Sequence, residues 1–379
     1  MRILPGIDVL LNQHLDLITG RRIGLVSNAS SVTRNLLPTA EVLLHSGHGH
    51  LTALFAPEHG FYASTAAATA VKPAVDARLG LPVYSLYGDV QRPVTAMLAG
   101  LDLLIFDLQS VGVRFYTYTT TLLYVLQAAA EHRLPVIVCD RPNPLAGEVV
   151  EGPVLEPAFA SFVGCGPLPI RHGLTIGELA RLYVERWGYD CDLMVAPCTG
   201  WQRAMWFDET GLLWLPPSPN MPKLSAAVLY PGTCLIEGTN LSEGRGTALP
   251  FEVVGAPGID GWALAQAMNE LNLPGIHFQP TRFEPAAGKW AGQLCHGLQL
   301  HVLDRRLLRP VAMALHLIAT IKARYADIFT WHLPHFDRLL GTDLVRQQLE
   351  AEIPVSEIIS SWNSAQATFM RQRESVLIY

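Results

Sequence analysis

Five groups of polar side chains occur in the N-terminal 150 residues of the sequence, and each follows a short apolar run. In chain order they are Ser27, Asn28 and Ser30; Glu58 and His59; Tyr87 and Asp89; Asp107, Gln109, Arg114, Tyr116 and Tyr118; Asp140, Arg141 and Asn143. Carboxylates and amides bind sugar hydroxyls, and tyrosine rings offer surfaces on which a sugar face can lie. Cleavage of a glycosidic bond needs a carboxylic acid that protonates the leaving oxygen. These residue types therefore favour a carbohydrate site.

Glu58 is the carboxylate in this set that a structural role explains least well. It lies in a Pro-Glu-His-Gly sequence, and glutamate is a poor turn former compared with aspartate or asparagine. We therefore expect Glu58 to be functional. Asp89, Asp107 and Asp140 could each be a helix cap or a turn acceptor instead, so both roles stay open for them.

Two later segments combine charged side chains with glycines. They are Arg171-His172-Gly173 and the stretch from Glu237 to Thr247, which contains Asn240, Glu243 and Arg245. Apolar burial does not explain the second segment, and loops on a rigid scaffold are where binding residues tend to lie. A tight turn held by a glutamate–arginine pair is the structural alternative.

Other chemistries lack their sequence signatures. His45, His48 and His50 precede a predicted strand without a carboxylate at ligand spacing, so we expect a solvated turn rather than a metal site. The first strand-to-helix turn, SNASSV, lacks the glycines of a dinucleotide site, and neither a P-loop nor a G-x-S-x-G elbow occurs. We expect no metal and no cofactor.

The apolar runs predict the strands that must position the polar groups. They are Ile23–Ser27, Leu51–Ala56, Pro82–Leu86, Leu101–Phe106 and Pro135–Cys139, with segments of helical spacing such as Thr39–Ser46 and Thr121–His132 between them. Alternating strands and helices indicate an α/β fold whose parallel sheet is covered on both faces. Because such sheets bind ligands at the carboxyl ends of their strands, the five groups should share one rim.

The rest of the chain contains a capping box, a proline-rich stretch and further helices. Thr175 and Glu178 match the capping-box spacing ahead of a helix to about Trp187, so we expect Glu178 to be a cap. Leu215–Pro222 cannot form regular structure and predicts a boundary between domains at 1–222 and 223–379. The second domain reads as α+β: its predicted elements are a strand at Gly297–Leu303, a helix from Pro310 and a helix at Ser356–Arg373.

Length and composition exclude several classes of protein. The chain has 379 residues, 50% of them hydrophobic and 16% charged, and at roughly 150 residues per domain this predicts two domains. Lys and Arg number 27 against 33 Asp and Glu, giving a net charge of −6, so we expect no nucleic-acid or membrane partner. The six cysteines never form Cys-x-x-Cys and should be reduced thiols. The N-terminus does not resemble a signal peptide, which predicts a cytoplasmic location, or a periplasmic or secreted one if a leader was removed.

Long motifs give the sequence a specific resemblance. LFAPEHGF, SLYGD, FDLQSVGVRFYTY, DRPNPLAG, RHGLTIGEL, YPGTCLIEGTN and SEGRGT occur in this order. With them, nearly the whole chain resembles the exo-β-N-acetylmuramidase family, long catalogued as a domain of unknown function. The resemblance implies a Rossmann-like N-terminal domain, a smaller C-terminal domain and a cleft between them. It also implies a glycoside hydrolase that removes β-1,4-linked N-acetylmuramic acid from the non-reducing end of peptidoglycan fragments.

The resemblance also suggests roles for individual residues. It gives Glu58 the general acid/base role and leaves the second catalytic group open. The other catalytic candidates are His59, Asp89, Asp107, Asp140, Glu243 and the substrate's own acetamido group. The arginine candidates for binding the lactyl carboxylate are Arg114, Arg141, Arg171 and Arg245. The remaining predicted substrate-binding residues are Asn28, Tyr87, Asp89, Gln109, Tyr116, Asn143, His172, Asn220 and Asn240.

Two alternative functions and one departure from the family pattern accompany this prediction. The protein could be a non-catalytic amino-sugar-binding protein, because two α/β lobes with a cleft would serve that role too. It could also be an N-acetylhexosaminidase of another specificity. The alanine-rich stretch Ser64–Ala70 departs from the family pattern and predicts a different cleft edge.

Overall fold

The computed structural model describes residues 3–65 and 74–379, so most of the alanine-rich stretch lies outside the described residues. Its strands are β1 (Arg22–Ser27), β2 (His50–Ala56), β3 (Ala74–Val75), β4 (Pro82–Ser85), β5 (Leu103–Asp107), β6 (Val136–Cys139), β7 (Glu151–Val154), β8 (Pro169–Arg171), β9 (Leu193–Ala196), β10 (Val253–Ala256), β11 (Ile276–Phe283) and β12 (Cys295–Val302). Its α-helices are α1 (Gly6–Gln13), α2 (Thr39–His45), α3 (Thr95–Leu98), α4 (Tyr118–His132), α5 (Ile176–Arg181), α6 (Leu224–Thr233), α7 (Gly261–Glu270), α8 (Pro310–Arg324), α9 (Leu333–Leu340), α10 (Leu344–Glu350), α11 (Val355–Ser360) and α12 (Asn363–Glu374). Within the described part of the chain, no helix combines the length and apolarity needed to cross a bilayer.

The central sheet confirms the predicted α/β fold. Its strand order is β3-β4-β2-β1-β5-β6-β9, and every pair is parallel except the short edge pair of β3 and β4. Successive residues of a strand point to opposite faces. Leu104 and Phe106 therefore join one apolar cluster, whereas Leu103 and Ile105 join another on the opposite face. Burial on both faces explains why these strands are continuous apolar runs in the sequence.

The helices confirm most of the local signals. The Thr175 hydroxyl accepts a hydrogen bond from the Glu178 N–H, and the Glu178 carboxylate accepts one from the Thr175 N–H, so Glu178 is the predicted cap. Beyond Arg181 the chain continues as a π-helical turn. The helix predicted at Ser356–Arg373 is instead the pair α11 and α12, separated by a break at which Trp362 is buried.

The C-terminal half is built around the antiparallel sheet β10-β12-β11, as an α+β domain would be. Helix α8 begins with Pro310, a position at which proline's missing N–H costs nothing. The last residues then return to the N-terminal sheet. The hydroxyl of Tyr379 donates to Asp140 at 2.7 Å, and its ring packs edge-on against Trp201.

Candidate active site

A cleft of about 250 Å³ lies between the carboxyl ends of β2, β4 and β5 and the C-terminal half. The N-terminal half contributes Glu58, His59, Tyr87, Gln91, Phe115, Tyr116, Thr117 and Phe162. The proline-rich stretch contributes Ser218, Asn220 and Met221, and the C-terminal half contributes Tyr230, Glu237, Arg245, Phe251 and His335. Of the five strand ends that the sequence predicted to share one rim, those of β2, β4 and β5 therefore border an open cleft.

Glu58 lies in this cleft, directly after β2, and is 8% exposed. Thr117 is the residue immediately before α4, and its hydroxyl donates a hydrogen bond to Glu58 Oε2 at 2.9 Å. Tyr87 approaches the same carboxylate. Burial, together with the negative charge of Glu58, raises the pKa of Tyr87 to about 12. Tyr87 therefore keeps its proton at neutral pH and remains a donor facing Glu58.

The backbone after Glu58 is strained. His59 has φ 73° and Gly60 has φ 77°, so two successive residues adopt the left-handed conformation. For a residue other than glycine this conformation costs roughly 1–3 kcal/mol and tends to occur where function needs it. Burial lowers the pKa of His59 although Glu58 opposes the shift. His59 is therefore neutral at neutral pH, and its Nδ1–H donates to the Thr65 carbonyl at 2.8 Å.

Glu237 and Arg245 form the charged wall opposite Glu58. Arg245 donates from Nη2 and Nε to Glu237 Oε1 at 2.7 and 3.1 Å, and its guanidinium lies over the Phe251 ring at 4.9 Å. Burial opposes ionisation of Glu237, but Arg245 and His335 outweigh it and lower the pKa of that carboxyl to about 2. Glu237 is consequently an anion at any physiological pH.

Glu243 and Lys289 lie behind this pair. Glu243 approaches Arg245 at 3.4 Å and Lys289 at 3.3 Å, and it does not line the cleft. Burial and the charge of Glu237 raise the pKa of Glu243. Lys289 also donates to the carbonyls of Ile236 and Leu241. The structure therefore places Glu243, a predicted catalytic residue, in a supporting position for Arg245.

Aromatic rings form the floor between the two walls. Tyr230 packs edge-on against Phe115 with ring centroids 5.3 Å apart, against Tyr116 at 6.1 Å and against Phe251 at 4.8 Å. On the outer side, Phe162 lies 5.6 Å from the ring of Tyr87. An apolar, aromatic floor under a few convergent polar groups is the usual composition of a small-molecule site and provides surfaces for sugar faces.

Asp107 and Asp140, predicted as catalytic, lie outside the cleft. Asp107 is fully buried and pairs with Arg141, whose Nε and Nη2 donate to it at 2.6 and 2.8 Å. Asp140 is also fully buried and accepts hydrogen bonds from Thr175 and Tyr379. Burial raises the pKa of Asp140 to about 6. Asp107 and Asp140 thus accept hydrogen bonds from buried donors, which is the structural alternative to a catalytic role. Asp89 is exposed and does not line the cleft either.

Arg114 and Arg171 are structural rather than substrate-binding. Arg114 is fully buried and donates to the carbonyls of Pro153, Leu168 and Leu339, and burial lowers its pKa to about 9. Arg171 donates to the Leu145 carbonyl, and burial lowers its pKa to about 10. Neither guanidinium reaches the cleft. Of the four arginine candidates, all within the described residues, Arg245 is the one that lines it.

The asparagine, glutamine and histidine residues predicted to bind substrate also fall into two groups, those that line the cleft and those that bond to the backbone elsewhere. Asn220 lines the cleft. Asn28, Gln109, Asn143, His172 and Asn240 instead hydrogen-bond main-chain groups elsewhere. Asn28 and Tyr118 both donate to the Pro217 carbonyl, so they act indirectly by holding the stretch that carries Ser218 and Asn220.

The carboxyl ends of β1 and β6 are closed by distant segments of the chain. Ser30, Gln109 and Arg141 line a cavity of about 30 Å³, which Phe207 and Leu212 cover. The crevice where a parallel sheet usually binds its ligand is thus filled here, and the open site is displaced toward β2 and β4. This explains why two of the five groups do not contribute to the cleft.

Three further residues line the cleft without having been predicted from the sequence: Glu237, Thr117 and His335. Glu237 belongs to the glycine-flanked segment, but the pattern could not distinguish it from Glu243. Thr117 lies between two tyrosines that the sequence did single out. For His335, in α9, we find no local signal. Within the described residues, no cluster of three or more His, Cys, Asp or Glu side chains is arranged to hold a metal ion.

Comparisons with known proteins identify the family. The model for exo-beta-N-acetylmuramidase NamZ, N-terminal, matches residues 23–225, and the corresponding C-terminal model matches residues 228–379. The chain is 44% identical over 379 residues to the peptidoglycan beta-N-acetylmuramidase NamZ of Bacillus subtilis (strain 168), covering 100% of this chain and 92% of that protein.

Solved structures agree with this assignment. A crystal structure of a DUF1343 family protein from Bacteroides fragilis NCTC 9343 superposes with a TM-score of 0.94 at 32% identity, covering 100% of this chain and 99% of that one. A second such protein from the same organism has a TM-score of 0.80 at 32% identity, with the same coverage. The chain therefore belongs to the exo-β-N-acetylmuramidase NamZ family.

Proposed function

We propose that this protein is a glycoside hydrolase that releases β-1,4-linked N-acetylmuramic acid from the non-reducing end of peptidoglycan fragments. The observation that carries the proposal is the position of Glu58, which lies in an aromatic-floored cleft and receives a hydrogen bond from Thr117. Family membership supports the same activity, because the Bacillus subtilis relative is named a peptidoglycan β-N-acetylmuramidase. With the division at residue 222 that we propose, both domains would contribute to the cleft.

Glu58 is the group best placed to exchange a proton with the glycosidic oxygen. As a carboxylic acid it would protonate the leaving sugar, and as a carboxylate it would then take a proton from the incoming water. Thr117 fixes the orientation of its carboxyl group, and Tyr87 supplies a second polar neighbour. Glu237 is poorly suited to this role, because Arg245 and His335 lower the pKa of its carboxyl group and hold it as an anion.

Arg245 is the group best placed to recognise the lactyl carboxylate of N-acetylmuramic acid. Its Nε and Nη2 are held by Glu237, which leaves Nη1 without a hydrogen bond to any described residue while the side chain lines the cleft. Glu237 and Glu243 overcome the cost of burial and raise the pKa of Arg245, so the cation persists. A fixed guanidinium is the side chain that suits recognition of a carboxylate.

Turnover of 4-nitrophenyl β-N-acetylmuramic acid tests the proposal. We expect wild type to release nitrophenol and Glu58→Gln to be slower by about 10²–10⁴-fold, the usual contribution of a general acid/base. Glu357→Gln, at an exposed position on α11, is the matched control and should keep the wild-type rate.

Three results would contradict the proposal, each in a different way. If wild type binds the sugar but releases no nitrophenol, the protein is a non-catalytic amino-sugar-binding protein. If Glu58→Gln keeps the full rate, the chemistry belongs to another residue. Equal turnover of the N-acetylmuramic acid and N-acetylglucosamine glycosides would instead indicate an N-acetylhexosaminidase of broader specificity.

A further inference from the structure

A second, larger cavity of about 810 Å³ lies in the C-terminal half and shares no lining residue with the cleft around Glu58. It is formed where the turn between β10 and α7 meets the strands β11 and β12. We call it the Trp262 groove, after the residues Asp260, Trp262, Thr281, Arg282 and His296 that line it. Its volume falls in the range of roughly 300–1,000 Å³ that is typical of ligand sites.

The Trp262 side chain is exposed to solvent, although hydrogen bonds fix the backbone that carries it. Its side chain is 76% exposed, the largest exposed fraction among the large apolar side chains of the described residues. Its backbone is nevertheless fixed, because its N–H donates to the Asp260 side chain at 2.9 Å at the start of α7. Tyr325 in turn donates to the Asp260 carbonyl at 2.9 Å.

Close packing between Gly261 at the start of α7 and Gly297 in β12 also fixes this backbone. A Cβ atom on Gly261 would lie 2.7 Å from the carbonyl oxygen of Gly297 in β12, so the beginning of α7 is pressed against the sheet. The indole therefore stays in water at a position that the backbone fixes, and it lines a cavity whose volume is typical of ligand sites.

Arg282 and His296 supply positive and polar groups beside the indole. They are directly paired across the antiparallel strands β11 and β12, so their side chains project from the same face of the sheet. Arg282 is exposed and makes no ion pair or hydrogen bond with any described residue. The Asp260 carboxylate also lines the groove, but Oδ1 is engaged by the N–H groups of Trp262 and Ala263.

We propose that the Trp262 groove is an accessory binding site for the glycan strand of peptidoglycan. The indole would stack on a sugar face, and Arg282 would bind a carboxylate carried by the same strand, on a stem peptide or on the lactyl group of an N-acetylmuramic acid unit that has lost its peptide. This inference rests on the proposed function, which makes peptidoglycan the substrate. Such a site would hold the enzyme on the polymer while the separate cleft acts on a chain end.

Sedimentation with insoluble peptidoglycan sacculi, measured beside turnover of soluble 4-nitrophenyl β-N-acetylmuramic acid, tests this inference. We expect Trp262→Ala and Arg282→Ala each to weaken binding to sacculi by about tenfold, the typical loss for an aromatic or arginine anchor. Both variants should keep wild-type kcat/KM on the soluble glycoside. Leu303→Ala is the matched control, because Leu303 is another exposed apolar side chain (72%) that does not line the groove.

The possible results separate the groove from the cleft. Unchanged binding to sacculi in both variants would overturn the inference, as would a concentration-dependent dimer in wild type that Trp262→Ala abolishes, since the groove would then hold a second copy of the chain. If wild type fails to cleave the soluble glycoside but the two variants still lose binding to sacculi, the proposed activity is wrong and the groove stands. Both positions are exposed, and unchanged melting temperatures will show that the variants fold.

Discussion

Replacing Arg245 with lysine should reduce the preference for N-acetylmuramic acid over N-acetylglucosamine by about tenfold. Lysine keeps the positive charge that Glu237 and Glu243 require, but it loses the planar fork that can bind two carboxylates at once. Alanine is a poorer choice. It would leave two buried carboxylates with only Lys289 and His335 to offset them, and stability would fall together with activity.

The size of the effect follows from the interaction that is lost. A hydrogen bond to a charged group contributes roughly 1.5–3 kcal/mol, which corresponds to about 10–150-fold in a rate or binding constant. The Arg245 side chain is 24% exposed, so water screens part of this energy and the lower end of the range applies. We expect kcat/KM for the N-acetylmuramic acid glycoside to fall by about tenfold in Arg245→Lys.

Parallel assays of two 4-nitrophenyl glycosides measure the preference directly. The N-acetylglucosamine glycoside lacks the lactyl carboxylate, so its kcat/KM should change by less than about threefold in the same variant. Arg92→Lys, at a surface ion pair with Glu131, should leave both rates unchanged. An equal fall for both substrates would mean that Arg245 supports the fold of the cleft and does not recognise the lactyl group.

Two further predictions concern buried groups outside the cleft. Arg114→Met leaves the carbonyls of Pro153, Leu168 and Leu339 without their donor, and should lower the free energy of unfolding in urea by about 3 kcal/mol. Activity per folded molecule should be retained; an unchanged urea midpoint would contradict this role. Burial raises the pKa of Glu151 to about 7 from 4.5, so the folded state keeps a proton that the unfolded state releases. Stability should therefore decrease by about 3 kcal/mol as pH rises through that interval, and Glu151→Gln should remove most of the decrease. An identical pH profile of thermal unfolding in the variant would refute that assignment.

Local patterns were sufficient to identify the strands and several helices. A parallel strand buried on both faces is a continuous apolar run, and all five runs correspond to strands β1, β2, β4, β5 and β6. The capping box at Thr175 and the proline at the start of α8 depend only on neighbouring backbone groups. Such signals involve residues a few positions apart, so they can be interpreted without knowing the rest of the fold.

The polar residues of the predicted rim were harder to assign, because a buried polar group looks the same in sequence whether it binds a ligand or the protein's own backbone. Arg114 and Arg141 satisfy internal acceptors, whereas Arg245 lines the cleft. The difference arises from segments far away in the chain. Leu339 supplies an acceptor for Arg114, and Tyr379 covers Asp140 from the end of the chain.

The sequence by itself determined the positions of the buried strands and the family resemblance, and it singled out Glu58 as the candidate catalytic carboxylate, since each of these rests on short runs or motifs of neighbouring residues. Tertiary structure alone decided which strand ends remain open. Phe207 and Leu212 close the crevice at β1, and the packing of the C-terminal half opens the cleft beside β2. The tertiary structure also decided that Glu237 rather than Glu243 enters the cleft, because this depends on how the segment from Glu237 to Thr247 packs against Lys289 and Phe251.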